Sequence, residues 1–520
     1  MKNAKTMRLS AWFCLLLGSL MMSESVCIQM ASATDTPVLM AGNAGDALPQ
    51  AIRDKMVIAG LDDDKISLWV EPLTAVPSAQ NSQINQTPSR VNPSNANLRH
   101  NPIIRHRADQ PRIPASTQKL ITTFIALHTW GENHRWVTRV YPKGVIVNGI
   151  LYGDLVIQGT GDPAMTHERL RAMLQQVQAQ GIRHIRGNIM IDNLAFNHVK
   201  FDINAFDGQG VRAYNAAPNA FLVNFGTLEV DVLPVDNQSA MVQVMPTLAD
   251  FDSPNQILTN KKSCLSDADF HLTDARLVVL NGTNAVCGRR SYWLTFNDAD
   301  TLAVKAVQGE WQKLDNNFSG MVGLANKQQA VGMTLPWLIY PSKPLAEQIY
   351  LINQYSNNVM TEQMALSLPL SLPNVSASDY PKAFDFINQW WQDHLTSASP
   401  MMSRASGLCR DCQITPMAMA ELLAFAYKQP NFEVFKTSLP IAGKSGTMAS
   451  LIKRNFNHPA IGRAYIKTGT LNDVKSMAGY IMDSRGRWYV LVVMVNAPNA
   501  GHDQRVLSVL DEVLAYVATL

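Results

Sequence analysis

The sequence predicts an α/β protein of the α+β kind, in which helical segments at both ends of the chain enclose an inserted, mostly β region of one or two domains. Three observations carry this. Helix-period apolar residues dominate before 134 and after 311; from about 135 to 310 short alternating segments are broken by Gly, Asn, Asp and Pro; and three strands followed by a helix close the chain.

The first 33 residues read as a secretory signal, with Lys2, Lys5 and Arg8 as its basic start, Ala11 to Met22 as its apolar core and Ala31-Ser32-Ala33 before the cleavage point. No later stretch approaches the roughly 20 uninterrupted apolar residues of a membrane helix, so an exported product without an integral span is expected. Residues 34–134 form the first part of the main domain: a helix over 47 to 59, a strand from Lys65 to Val70, a polar loop over about 76 to 102, a short strand from Ile103 to Arg107 and a helix opening near Ser116. In the insert, 135–310, segments such as Gly149 to Gln158 and Ile185 to Asp192 alternate as strands do, and Thr166 to Gln180 is its one helix. The second part, 311–520, holds helices from Pro344, Met360, Pro381 and Pro416. Strands follow at Ala464 to Lys467, Ser476 to Met482 and Arg487 to Val495, and Gln504 to Val517 is a last helix.

Loss of Lys2, Lys5, Arg8 and Glu24 with the leader takes the formal net charge from +3 to +1. No basic block remains for nucleic acid. Of six cysteines, Cys14 and Cys27 leave with the leader. The remaining Cys264, Cys287, Cys409 and Cys412 are expected as disulfides, and the sequence-local pairing, Cys264 with Cys287 and Cys409 with Cys412, costs least to close. A redox pair or half a zinc site at Cys409-Arg-Asp-Cys412 is the alternative, but no second Cys-x-x-Cys or suitably spaced histidine pair accompanies it.

Ser116-Thr-Gln-Lys119 places a serine and a lysine one turn apart at a helix start. A serine hydroxyl is a poor nucleophile until a base takes its proton, and a lysine serves once its ammonium is destabilised by burial or by another cation. Lys467-Thr468-Gly469-Thr470, at the end of the first terminal strand, supplies such a cation, two hydroxyls for a carboxylate and a glycine that lets a substrate lie on the strand edge. Ser356-Asn357-Asn358 lies between them, its hydroxyl suited to relay a proton and its amide to hold both the lysine and a substrate carbonyl. Each pattern occurs twice: Ser450-Leu-Ile-Lys453, Ser253-Pro-Asn255 and Lys444-Ser-Gly-Thr447 are the duplicates. Lys467 is preferred to Lys444 because a strand carries it, and only the Ser116 set has all three motifs in order.

In that order the motifs resemble those of low-molecular-mass penicillin-binding proteins of the D-alanyl-D-alanine carboxypeptidase/endopeptidase family, in which a large insert separates the first two. Here Ser356 lies 240 residues beyond Ser116 (356 minus 116) and Lys467 lies 111 beyond Ser356. Gly153 to Gly159 with Gly161-Asp-Pro163, Gly187 to Asp192, Tyr214 to Pro218, Ser342-Lys-Pro-Leu345, Ser406-Gly-Leu408 and Leu439 to Gly443 also resemble the family, in its order.

The resemblance implies a transpeptidase/β-lactamase-like catalytic domain built from both chain ends. By it, Ser116 is acylated, Lys119 is the general base, Ser356 and Asn358 form the relay and clamp, and Lys467 supports the relay. The backbone N–H groups of Ser116 and Thr470 form the oxyanion hole, and Thr468 and Thr470 bind a terminal carboxylate. Asp192 matches an insert carboxylate that meets a free amino group of the peptide. The implied protein is a periplasmic serine hydrolase of peptidoglycan stem peptides and cross-links, inhibited by β-lactams, with no metal or organic cofactor. A β-lactamase or esterase on the same fold, and an inactive wall-binding protein, are the alternatives. Two departures stand out: Arg404-Ala405 precede Ser406 where the family has Asp-Gly, and Lys444-Ser445 follow Gly443 where an acidic residue is common.

Overall fold

In a computed structural model, a five-stranded antiparallel sheet takes its strands from both ends of the chain, in the order Ala464–Leu471, Val474–Met482, Trp488–Asn496, Ile66–Pro72, Ile104–His106. The expected terminal meander is extended by Ile66–Pro72, which pairs along Trp488–Asn496 from Ile66↔Val495 to Pro72↔Tyr489. Both faces are covered, which explains the near-continuous apolar run of Val490 to Val495. Period-2 alternation sends Leu491 and Val493 against helices Gln50–Ala59 and Gln504–Ala518. Val490, Val492 and Tyr480 face the helical layer that contains Lys119–Trp130, Leu345–Tyr355, Asn358–Ser367 and Pro416–Tyr427.

The structure describes residues 48–74, 101–196, 199, 201–236, 238–258, 269–279, 288–315, 317–329 and 335–520. The expected leader, most of the 76 to 102 loop, Cys264 and Cys287 lie outside them. Among the described residues no helix is long and apolar enough to cross a membrane. All of them belong to one unit, Ala44–Leu520.

The middle of the chain forms two larger sheets. One centres on the hairpin Val137–Val147 with Ile150–Gln158, flanked on one side by Ile189–Asp192 and Val322–Leu324 in parallel and on the other by Leu338–Pro341. The other is antiparallel, in the order Arg290–Thr295, Thr227–Pro234, Ser239–Met245, Gln256–Leu258. Among the described residues the region holds two α-helices rather than the one expected. His167–Ala179 is joined by Ala299–Leu314, whose N-cap Asp298 accepts from Thr301 N at 2.7 Å. The position 310 lies inside that second helix, and the first sheet takes a strand from as far along as Pro341.

Candidate active site

Ser116 sits not in the first turn of an α-helix but in a 3₁₀ turn, Ala115–Gln118, with the α-helix beginning at Lys119. Ala115 adopts φ +49°, which bends the chain immediately before the serine. Two hydroxyls secure the bend from either side, since Thr117 Oγ1 and Ser476 Oγ each donate to the Pro114 carbonyl at 2.7 Å. In a 3₁₀ turn residues three apart eclipse. Lys119 therefore stands over Ser116, with its Nζ 3.0 Å from Ser116 Oγ.

The same nitrogen is 2.7 Å from Asn358 Oδ1 and 2.6 Å from the Ser406 carbonyl. Lys119 has no exposed surface. Burial pushes its ammonium well below the ordinary lysine range, the charge of Lys467 adds to this, and Glu362 opposes it. Asn358 is oriented by its other amide atom, Nδ2, which donates to the Tyr214 carbonyl at 2.9 Å.

Ser356 ends helix Leu345–Tyr355 in the left-handed region, φ +58°, and Asn357 caps the next helix by accepting from Met360 N at 3.0 Å. This junction presents Ser356 and Asn358 to one cleft. Lys467, also without exposed surface, donates to Ser356 Oγ at 2.9 Å and to the Thr468 carbonyl at 3.0 Å. Burial lowers its ammonium to about 7. The strand edge lies against the first motif at Gly469, where a Cβ would come within 2.7 Å of the Pro114 carbonyl and 3.0 Å of Ser116 N. A side chain there would fill the space in front of the Ser116 N–H.

Glu362 belongs to this machinery and was not among the expected residues. Its buried carboxylate accepts from Ala405 N at 3.0 Å and Ser406 N at 2.9 Å, which fixes the loop whose carbonyl holds Lys119. The available signal was a lone acid in a helix, Asn358–Ser367, that is otherwise uncharged and almost wholly buried. The sulfurs of Cys409 and Cys412 lie at bonding distance of one another, as the sequence-local pairing expects. Cys409 borders a cavity of about 350 Å³ that also contains Asn358, Glu362, Tyr214 and Arg410. On the other side of Asn358 and Tyr214 lies a more apolar cavity of about 590 Å³, with Ser356, Tyr355 and Trp293 in its wall.

The structure does not place Asp192 with the three motifs. It is buried at the end of Ile189–Asp192, accepts from Gln158 Nε2 at 3.1 Å, and lines a cavity of about 780 Å³ with Trp130, Arg135, Arg139 and Lys327. No residue of the three motifs lines that cavity. The lysine and serine of two duplicates fall outside the cluster too: Lys444 is exposed and lies over Gly462, and Ser450 is exposed before the short helix Leu451–Arg454.

This arrangement suits acyl transfer through a serine ester, and comparison with known proteins agrees. Residues 89–516 match the model of the D-Ala-D-Ala carboxypeptidase 3 (S13) family. D-alanyl-D-alanine carboxypeptidase DacB of Haemophilus influenzae is 23% identical over 399 residues, covering 75% of this chain and 81% of that protein. A D-alanyl-D-alanine carboxypeptidase from an Actinomadura species is 24% identical over 412 residues, covering 75% and 73%. The crystal structure of penicillin binding protein 4 from Haemophilus influenzae superposes with a TM-score of 0.70 at 18% identity, over 90% of this chain and 99% of that one.

Proposed function

Because the chain belongs to the D-Ala-D-Ala carboxypeptidase 3 (S13) family, we propose that it removes the terminal D-alanine from peptidoglycan stem peptides through an ester on Ser116. The observation that carries the residue assignment is the set of oxygens around Lys119 Nζ. Asn358 Oδ1 and the Ser406 carbonyl can only accept hydrogen bonds, whereas Ser116 Oγ can also donate. A neutral amine has two N–H donors and one lone pair. With both donors committed to the obligate acceptors, the lone pair faces the Ser116 hydroxyl, which is the arrangement of a general base.

Ser116 Oγ attacks the carbonyl carbon between the two D-alanines as its proton passes to Lys119 Nζ. The backbone N–H groups of Ser116 and Thr470 hold the oxyanion. The proton then moves through Ser356, which Lys467 orients, to the departing amine, and the C–N bond breaks to release D-alanine. Water adds to the ester, again giving its proton to Lys119, and Ser116 is regenerated. Thr468 and Thr470 receive the substrate's terminal carboxylate. A β-lactam enters the same route, with its ring amide as the bond that opens. A larger leaving amine makes the reaction an endopeptidase cleavage of cross-links.

The basic, apolar and small-residue order of the first 33 residues supports export to the periplasm with cleavage near Ala33. The Cys409–Cys412 bridge suits that compartment. Release of D-alanine from a peptide ending in D-Ala-D-Ala tests the proposal: the wild-type protein turns the peptide over, and Ser116→Ala abolishes turnover. Equal turnover by Ser116→Ala would refute it.

A further inference from the structure

Thr470 lies directly opposite Lys475 in the pairing of Ala464–Leu471 with Val474–Met482. Opposed residues in an antiparallel pair share a face, with Cβ atoms about 4.5–5.5 Å apart. Lys475 thus stands on the face to which Thr468 and Thr470 point, and it lines a cavity of about 220 Å³ with Thr447, Thr468, Gly469 and Thr470. The ammonium is half-buried and donates to the Gly501 carbonyl at 3.0 Å. Burial and the charge of Arg454 both lower its affinity for a proton, and Asp511 raises it. Arg454, in the wall of the same cavity, is committed to Asp511 through two hydrogen bonds of 2.9 Å.

Thr447 comes from the duplicated Lys444-Ser-Gly-Thr447 motif, which the catalytic cluster does not use. The Ile441↔Tyr465 bridge lays this segment beside the motif strand, and Thr468 Oγ1 meets Thr447 Oγ1 at 2.7 Å. Two adjacent hydroxyls can share a proton chain, in which Thr447 donates to Thr468 and frees the Thr468 proton for an anion.

We propose that Lys475 and Thr447 complete, with Thr468 and Thr470, the subsite for the substrate's C-terminal carboxylate. Lys475 is a binding residue that supplies the full positive charge the threonines lack, and Thr447 is a positioning residue that sets the Thr468 hydroxyl. The inference rests on the function proposed above and extends it to two side chains outside the three motifs. A hydrogen bond to a charged group outweighs a neutral one by enough to change binding on the order of tenfold.

The test compares acylation of Ser116 by benzylpenicillin with acylation by its methyl ester, which has the same ring and no carboxylate, alongside KM and kcat for a peptide ending in D-Ala-D-Ala. Lys475→Met is expected to lower the acid-to-ester ratio of acylation rates about tenfold and to raise KM more than it lowers kcat. Lys475→Arg retains most of the ratio. Thr447→Val gives a smaller loss with the same preference for the acid, and Thr447→Ser restores it. Ester acylation at the wild-type rate reports that the variants are folded. An unchanged ratio in Lys475→Met, or an equal loss with acid and ester, overturns the subsite alone. A wild-type protein acylated by neither compound overturns the acyl-enzyme reading and the subsite with it.

Discussion

Lys119 and Lys467 both have no exposed surface, and the charge of one lowers the proton affinity of the other. Each unit of pKa depression corresponds to about 1.4 kcal/mol of differential stabilisation. Keeping both ammonium groups charged inside the fold is therefore costly, and the neutral form of Lys119 is the one its surroundings favour. Removing the Lys467 charge relieves Lys119 and raises its pKa. Lys467→Met is accordingly expected to shift the acid limb of the acylation rate to higher pH, and to slow acylation by about 10²-fold or more through loss of the relay. A pH profile of β-lactam acylation measures both effects; an acid limb that stays in place would show that the two lysines are not coupled. The depressed folded value of about 7 also links to stability. An unfolded lysine keeps its proton up to about 10.4, so the unfolded state binds more protons between the two values, and wild-type stability rises with pH across that window relative to Lys467→Met.

At the scale of elements, the loop after Arg404 decides whether the base stays in place. Gly407 has φ +77°, and a Cβ on it would come within 2.0 Å of the Ala115 carbonyl, in the bend that presents Ser116. Backbone cannot yield there as a flexible side chain would. Gly407→Ala is expected to cost more than about 1 kcal/mol in stability from backbone strain and clash and to slow acylation together with it; thermal unfolding and penicillin labelling of one preparation check the pair. Most of these elements were legible in the sequence. Short apolar runs marked the terminal strands, and three short motifs in order marked the site. What escaped has physical causes. The strand assigned from Ser476 begins at Val474, and those two residues hid Lys475, whose role depends on register and not on its neighbours in sequence. Helix Ala299–Leu314, absent from the expected elements, contains Gly309, a poor helix former. A Cβ at Gly309 would sit 2.6 Å from the Thr247 carbonyl, so close packing onto that segment sets the residue. Asp192 was assigned by resemblance, and its surroundings in the fold are those of a different cavity.

For the whole molecule, the inserted region helps to build the site it interrupts. Gln363, on the helix that begins at Asn358, accepts from Asn219 N at 2.9 Å and donates to Asn219 O at 2.8 Å, while Tyr214 holds the Asn358 amide. The Trp136 indole N–H reaches Ser367 at the end of the same helix, at 2.9 Å. Three residues of the middle region, Trp136, Tyr214 and Asn219, thus anchor the helix of the second motif, and the first and third motifs meet on a sheet assembled from the two chain ends. None of these pairings is local in sequence, so only the motifs and their order could be seen in advance. The account requires one nucleophile, served by Lys467 and not by its duplicate, and intact-mass analysis after brief exposure to benzylpenicillin tests that requirement directly. The expected result is a single adduct on the wild-type protein that disappears in Ser116→Ala, is strongly reduced in Lys467→Ala and survives in Lys444→Ala. An adduct that persists in Ser116→Ala, or that depends on Lys444 and not on Lys467, would contradict the account.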